Sequence, residues 1–362
     1  MLCHRAYRYR IYPNAKQQHL IHQTFGCCRY VFNHFLAQWN DTYAATGKGL
    51  SYNTCATGIP SLKKQFEWLR DVDSVALQSA VRHLADSFGR FLSKQSEAPR
   101  FKSRKNPVQS YTTRFTNGNI AVSGNQLKLP KIGLVRFANS RPIEGRILSA
   151  TVRRNAAGKY FVSIVCEVDI EPLPQATGEI GIDLGLKEFA VCSDGQHIAN
   201  PKSYRKFEQK LALWQRRMAR RKKGGANWRK AKRQAARTHE KIVNLRQDSL
   251  HQLSTRLIRE NQTISIETLK VANMMKNHKL AKSIADASWS EFKRMLAYKC
   301  EWYNRTLKFA PLFAPTSQTC HVCGEINKEV KNLSVRQWTC STCQTLHDRD
   351  ENAAHNIKQV AI

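Results

Sequence analysis

Two cysteine pairs near the C-terminus, Cys320-His-Val-Cys323 and Cys340-Ser-Thr-Cys343, stand with 16 residues between them. Two thiolates at that spacing reach one ion across a tight knuckle, and two knuckles complete a tetrahedron. The segment from Cys320 to Cys343 is therefore expected to bind one structural Zn²⁺. Gly324 supplies the backbone freedom that the first turn needs. Redox activity is the rival chemistry for a Cys-x-x-Cys pair, but two pairs at ribbon spacing weigh against it. His321 or His347 could replace a cysteine as ligand, although nothing requires it. Four cysteines leave no open coordination position, which makes such a site structural rather than catalytic.

A second set of chemistry-bearing residues is acidic. Asp183 interrupts the apolar run Ile180-Gly181-Ile182-Asp183-Leu184-Gly185, and Glu267 closes Ile264-Ser265-Ile266-Glu267. A carboxylate in such a run is costly to desolvate unless it is paired or metal-bound. Asp348 and Asp350 follow the second cysteine pair in His347-Asp348-Arg349-Asp350-Glu351-Asn352. Each acid has an ordinary alternative: a turn residue for Asp183, a strand-end charge for Glu267, a helix cap for Asp348 or Asp350. Three acids gathered at one sheet would repel unless they held divalent cations. Two Mg²⁺ ions there would activate a water and stabilise the leaving oxygen of a phosphodiester.

The third signal is basic. No acid occurs between Glu208 and Glu240, a stretch carrying Arg216, Arg217, Arg220, Arg221, Lys222, Lys223, Arg229, Lys230, Lys232, Arg233 and Arg237, interleaved with Trp214 and Trp228. Like charges along one helix repel, and a phosphate backbone laid beside it removes that penalty. The whole chain shows the same bias, with 59 Lys and Arg against 27 Asp and Glu and a net charge of +32. That favours a polyanionic partner over a merely solvated surface or a membrane-surface role.

The elements that must position these groups follow from hydrophobic periodicity. Tyr7, Tyr9 and Ile11 alternate with Arg8, Arg10 and Tyr12 as a strand; Leu20 to Leu36 has helical spacing. A second helix is expected over 74–92, capped at Asp73-Ser74, with Leu77, Val81, Leu84, Phe88 and Phe91 on one face. Residues 100–172 read as short strands with turn pairs, including a hairpin at Asn155-Ala-Ala-Gly158. A small β-barrel that includes residues 1–13 is expected, with the helices inserted into it. After a linker at 171–175 come strands at 179–184, 189–191 and 196–199. A long helical stretch over 203–260 follows, breakable at Gly224-Gly225, then strands at 263–267 and 306–310 separated by a helix over 288–303. A last helix starts near Glu351. This is the element order of an RNase H-like sheet interrupted by the cysteine segment.

The 362 residues suit roughly two to three domains, and a hydrophobic share of 41% supports buried cores. No apolar run long enough to span a membrane occurs, and residues 1–12 lack the apolar region of a secretory signal. Eleven cysteines, an odd count with seven scattered, fit a reducing cytoplasm with one metal site rather than a disulfide framework.

Together these residues resemble the TnpB (OrfB) family of insertion sequences, RuvC-like nucleases similar to the ancestors of type V CRISPR effectors. The resemblance spans nearly the whole chain. Its N-terminal pieces are Tyr9-Arg-Ile-Tyr-Pro13, Gly26-Cys-Cys-Arg29, Tyr30-Val-Phe-Asn33, Leu77-Gln78 with Phe88 and Phe91, and Pro99-Arg-Phe-Lys-Ser103. Its C-terminal pieces are more specific: Gly181-Ile-Asp-Leu-Gly185, Ile266-Glu267, the four cysteines, and Asp348-Arg-Asp350 followed by Asn352-Ala-Ala and Asn356-Ile357. Thr268 departs from the family, which often has Asp there, and the chain is slightly short.

The resemblance implies an α+β multidomain protein. Residues 1–14 and 98–172 would form a discontiguous β-barrel wedge domain and 15–97 a helical recognition insertion. Residues 176–314 and 346–362 would form a RuvC-like nuclease, interrupted by a zinc ribbon at 315–345. It implies Asp183, Glu267 and Asp350 as the Mg²⁺-binding catalytic acids, Asp350 being chosen because the family's third acid lies two residues before the Asn of Asn-Ala-Ala. It also implies a guide RNA from the element's end, a double-stranded DNA target with a short adjacent motif contacted near Gln78, and Mg²⁺-dependent cleavage. The expected activity is RNA-guided DNA endonuclease, supporting transposition or element retention in a bacterial or archaeal cytoplasm, near the nucleoid, with a separate transposase encoded nearby. Two rival readings are a nuclease-inactive RNA-guided repressor and a zinc-ribbon DNA-binding protein without RNA.

Overall fold

The computed structural model describes residues 2–332 and 334–362, which divide into two compact units, Leu2–Asp169 and Ile170–Ile362. In the first unit, β1 (Leu2–Ile11) leads into α1 (Ala15–Thr46), α2 (Tyr52–Gln65) and α3 (Ser74–Leu92). Six strands follow: β2 (Gln109–Arg114), β3 (Ala121–Ser123), β4 (Gln126–Leu129), β5 (Gly133–Arg136), β6 (Arg146–Arg154) and β7 (Tyr160–Asp169). The alternation of β1 buries Tyr7, Tyr9 and Ile11, and the strand pairs antiparallel with β7 along its whole length, from Leu2↔Asp169 to Ile11↔Tyr160. Asn14 and Gln17 cap α1 reciprocally, and Asp73 caps α3 through the Val75 N–H. The second oxygen of Asp73 accepts from Thr113 Oγ1 at 2.6 Å, tying α3 to β2.

Two expectations fail here. The β-barrel does not form: among the described residues no sheet closes on itself. One sheet has the order β1-β7-β6-β2 and the other β3-β4-β5. They meet at a single bridge, Ile11↔Phe137, flanked by the Tyr12 N–H on Arg136 O (2.8 Å) and the Ala138 N–H on Arg10 O (2.9 Å). Closure needs a continuous tilted ladder, and strands of three or four residues are too short to carry one from β1 to β2. The apolar face expected of α3 is also narrower. Leu77, Val81 and Leu84 are buried, but Phe91 is exposed and Phe88 is only half-buried, stacked on Trp39 at 4.2 Å. The pattern around α2, with Gly58 and Pro60 inside it, had concealed that helix.

The second unit opens with β8 (Gly178–Leu184), β9 (Glu188–Cys192) and β10 (His197–Ala199). The basic stretch folds as two helices, α4 (Ser203–Ala219) and α5 (Ala226–Glu260), with Gly224 at φ +86 in the turn. Then come β11 (Asn261–Ile266), α6 (Val271–Met274), α7 (Ala281–Ala287), α8 (Trp289–Tyr303) and β12 (Thr306–Phe309). The cysteine segment carries β13 (Gln337–Thr339) and β14 (Leu346–Asp348), and α9 (Arg349–Val360) ends the chain. The sheet order is β10-β9-β8-β11-β12, with β8, β11 and β12 parallel and β9 and β10 added antiparallel. Ile182, Ile264 and Ile266 from the sheet pack with Leu253 and Leu257 of α5 and Phe292, Met295 and Leu296 of α8. Each such side chain contributes roughly 1.5–3 kcal/mol on burial, which anchors the strand ends carrying the acids. No helix is long and apolar enough to cross a membrane, among the described residues.

Candidate active site and metal centre

Parallel pairing of β8 with β11 aligns Ile182 with Ile266, so the next residue on each strand, Asp183 and Glu267, emerges at the same sheet end. Leu184 N–H donates to Glu267 Oε1 at 2.7 Å, fixing the glutamate across the strand gap. Asp350 reaches the same place from the first turn of α9, which packs on β8. Gly181 permits that approach: a Cβ there would lie 2.0 Å from the Ala354 carbonyl and 2.8 Å from Lys358.

The three carboxylates feel one another. Asp183 keeps a partly exposed edge, yet the surrounding protein, then Glu267 and Asp350, hold its carboxyl well above the ordinary range, against the pull of Arg349 and Arg336. Burial pushes Glu267 up to about 7; the Leu184 N–H opposes this and Asp350 adds to it. Arg336 Nη1 donates to Asp350 Oδ2 at 3.0 Å. Asp348 does something different. Its Oδ1 accepts the N–H groups of Asp350 (2.9 Å) and Glu351 (3.2 Å), so it caps α9 and leaves Asp350 as the acid facing the other two. Thr268 donates to Ala310 O at 2.7 Å and ties the end of β11 to the end of β12.

The four cysteines converge on one point. Cys320, Cys323, Cys340 and Cys343 are the only His, Cys, Asp or Glu group among the described residues whose ligand atoms all lie within 4.8 Å of one another. The Cys320–Cys343 and Cys323–Cys340 sulfur pairs are 3.6 and 3.5 Å apart. The Thr345 hydroxyl and N–H push the Cys343 thiol down, while its neighbouring sulfurs push Cys323 up, so the proton is shared unevenly among the four sulfurs. His347 is buried with Nε2 3.1 Å from Cys320 Sγ, placed as a hydrogen-bond partner of that sulfur. The donor set suits a soft tetrahedral cation.

Two residues that sequence reasoning did not assign join this centre to the acids. Asn352 and Asn356 are buried on one face of α9. Asn352 Oδ1 accepts the His321 N–H at 3.0 Å while its Nδ2 donates to Thr319 O at 2.7 Å. Asn356 Nδ2 reaches Thr316 O and Thr319 O at 2.7 and 2.6 Å. From the other side, Arg349 N–H donates to Arg336 O at 2.8 Å, continuing the β13–β14 pairing into α9. The i, i+4 spacing of two asparagines flanking alanines was the signal available for this contact. The start of α9 has a further clamp: His197 of β10 lies between Glu188 and Glu351, which raise its imidazole to about 9.

In the basic hairpin, Arg216, Arg217, Arg220, Arg221, Arg229 and Lys230 are exposed, while Leu211, Ala231 and Ala235 are buried. Arg217 lies over Trp214 and Lys232 over Trp228, both at 4.9 Å, so the tryptophans support the cationic face instead of standing free.

Residues 163–278 match the OrfB profile of IS605 elements, described as "Probable transposase"; residues 289–357 match a Cas12f1-like TNB domain. Residues 1–48 match a helix-turn-helix profile, although here they comprise one strand and one 32-residue helix. A Streptomyces pristinaespiralis protein named "Putative RNA-guided DNA endonuclease" is 41% identical, across 98% of this chain and 88% of its own length. InsQ of Escherichia coli K12, named in the same words, is 33% identical across 97% and 91%. A cryo-EM structure of a Cas12f1–sgRNA–target DNA complex matches with a TM-score of 0.62 at 13% identity, covering 99% of both chains.

Proposed function

We propose, from the premise that this chain belongs to the OrfB (TnpB) transposase family whose relatives are named RNA-guided DNA endonucleases, that it cleaves DNA chosen by pairing with a bound RNA. The observation that carries the catalytic part is the convergence of Asp183, Glu267 and Asp350 at one sheet end, with two of them held far above ordinary carboxylate behaviour. Acids gathered in one place and held above their ordinary range are a mark of a functional site, read here as metal-dependent. On this reading residues 176–314 and 346–362 form a RuvC-like nuclease and 315–345 a zinc ribbon. The segments 1–14 and 98–172, with the helical insertion 15–97, form the recognition part, without a closed barrel.

Asp183, Glu267 and Asp350 would hold Mg²⁺, which when bound neutralises phosphate charge and lowers the pKa of a coordinated water. Leu184 N–H keeps Glu267 aimed across the strands, and the Asp348 cap keeps Asp350 on the first turn of α9. Cys320, Cys323, Cys340 and Cys343 would hold Zn²⁺ with no open position, so that centre positions α9 and does no chemistry. The exposed cations of the α4–α5 hairpin supply a track for nucleic-acid backbone.

The test is plasmid cleavage by protein purified together with RNA transcribed from its own flanking DNA. Cleavage with Mg²⁺ that disappears in Asp183→Ala is expected, along with a discrete co-purifying RNA. Activity surviving Asp183→Ala would remove the acid assignment. Purification without a discrete RNA would remove guidance and favour the RNA-free DNA-binding reading.

A further inference from the structure

The first unit contains a cationic cleft that the acid site and the basic hairpin leave unexplained. Two cavities, of about 460 and 400 Å³, adjoin between α1 and the segment 100–110 and share Phe25, Arg29, Asn106 and Gln109 in their walls. Volumes in this range take small organic ligands. No acidic residue lines either one. The cations are Arg29, Lys102, Arg104 and Arg154, and among the described residues no carboxylate pairs with Arg29, Arg104 or Arg154. The Arg154 guanidinium is hydrogen-bonded to Tyr160, but its Nε is buried without an acceptor, which costs about 1–3 kcal/mol unless a ligand supplies one. Like charge is felt inside the cleft: His22, held 2.8 Å from the Tyr160 hydroxyl, is pushed down by burial and then by Arg154 and His19.

The wall is built rather than accidental. Asn33 grips the segment reciprocally, donating to Lys102 O at 2.9 Å and accepting the Lys102 N–H at 2.8 Å. Asn106 Oδ1 accepts the Val108 N–H, and the Asn106 carbonyl accepts from Gln109 Nε2. Arg29 Nη1 rests on Gln109 Oε1 at 3.3 Å, a long contact that a stronger acceptor would replace. Phe101 on the rim is 59% exposed, an apolar ring left facing water beside the guanidinium groups. Anion-seeking guanidiniums and an exposed aromatic together make the chemistry of a single-stranded nucleotide site.

We propose that this cleft binds one phosphodiester-linked nucleotide of an unpaired strand. Arg29, Arg104 and Arg154 take the phosphate, and Phe101 takes the face of the base. The proposal rests on the nucleic-acid reading above but not on the acid site. It names a chemistry shared by RNA and DNA, and the experiment separates the two.

The intact protein, freed of nucleic acid, is titrated with a fluorescein-labelled 20-nucleotide mixed-sequence RNA and with the same sequence as DNA, at roughly physiological salt, where screening weakens exposed charges. Arg104→Gln, Arg154→Gln and Phe101→Ala should each weaken binding of at least one strand by about tenfold, within the range for one lost stacking or charged contact. Lys48→Gln, on the surface outside the cleft, should change it less than twofold. Loss confined to RNA assigns the guide strand, and loss confined to DNA assigns an unpaired target strand. Ultraviolet crosslinking with 4-thiouridine RNA or 4-thiothymidine DNA should place an adduct on the peptide containing Phe101. Arg104 lies on the surface segment, so Arg104→Gln stays informative if Arg154→Gln lowers the melting temperature. Cleft variants that bind both strands like Lys48→Gln, with adducts only on α4 and α5, would overturn the site. Strand binding retained by Asp183→Ala, whatever its cleavage, keeps this outcome separate from that of the nuclease reading.

Discussion

Replacing Glu267 by glutamine asks whether the acid cluster is maintained at the expense of the fold. Glutamine keeps an Oε1 acceptor for the Leu184 N–H, now at 2.7 Å, and removes the charge. Glu267 is pushed up to about 7 from its ordinary 4.5, first by burial, with Asp350 adding repulsion. Between those two values the folded protein retains a proton that the unfolded chain has released. Stability therefore falls as pH rises through that window; the penalty is absent below it and complete above it. At about 1.4 kcal/mol per unit this amounts to roughly 3 kcal/mol, which water along the exposed edge reduces to roughly 1–2 kcal/mol. Glu267→Gln should therefore melt roughly 2–8 °C higher than the parent at pH 7.5 without added divalent cations. At pH 4.5 the gain should vanish, and cleavage should be lost at either pH. Circular dichroism melts at both pH values, with Mg²⁺ added in a parallel series, measure this; Mg²⁺ should narrow the gap by stabilising the parent alone. A variant that melts at or below the parent at pH 7.5 would refute the account of a strained acid cluster.

Asp350→Ala should abolish plasmid cleavage. Asp348→Ala should leave measurable cleavage while costing about 1 kcal/mol through the lost cap, read by a thermal melt; equal loss in both would show that the two acids share one role. Cys340→Ser should drop bound zinc from one to near zero by elemental analysis and lower cleavage as well as stability, because Arg336 and the asparagine contacts connect the cysteine centre to α9. Wild-type cleavage by the zinc-free protein would break that connection. Gly181→Ala should push α9 from β8 at a cost of about 1–3 kcal/mol, seen as faster hydrogen exchange over 349–360 with loss of cleavage. Unchanged exchange there would mean that the strand yields instead.

Much of the second unit was legible because its signals are local. Asp183 interrupts one short apolar run and Glu267 closes another, and the length and β-branched content of both runs favour a buried strand. The thiols are paired at a spacing that metal chemistry restricts. Gly224-Gly225 marked the break between α4 and α5. The first unit was harder to read. The strands at 121–136 alternate correctly, but sequence says nothing about whether a sheet closes, because closure depends on strand length and on edges far apart in the chain. Phe91 fits the periodicity of α3 but has no partner element over it.

The chain by itself therefore supplied the candidate groups: four thiols at ribbon spacing, acids in apolar runs, and a stretch of cations without acids between Glu208 and Glu240. Spacing alone left Asp348 and Asp350 equivalent, since both stand at a helix start and either could cap it, and only the family resemblance favoured Asp350. The tertiary structure decided that by committing Asp348 to the N–H groups of α9. It also gave the cysteine segment its place, through buried asparagines whose partners lie more than 30 residues away along the chain. Residue type and spacing specify what a side chain can do; packing across distant elements specifies what it meets.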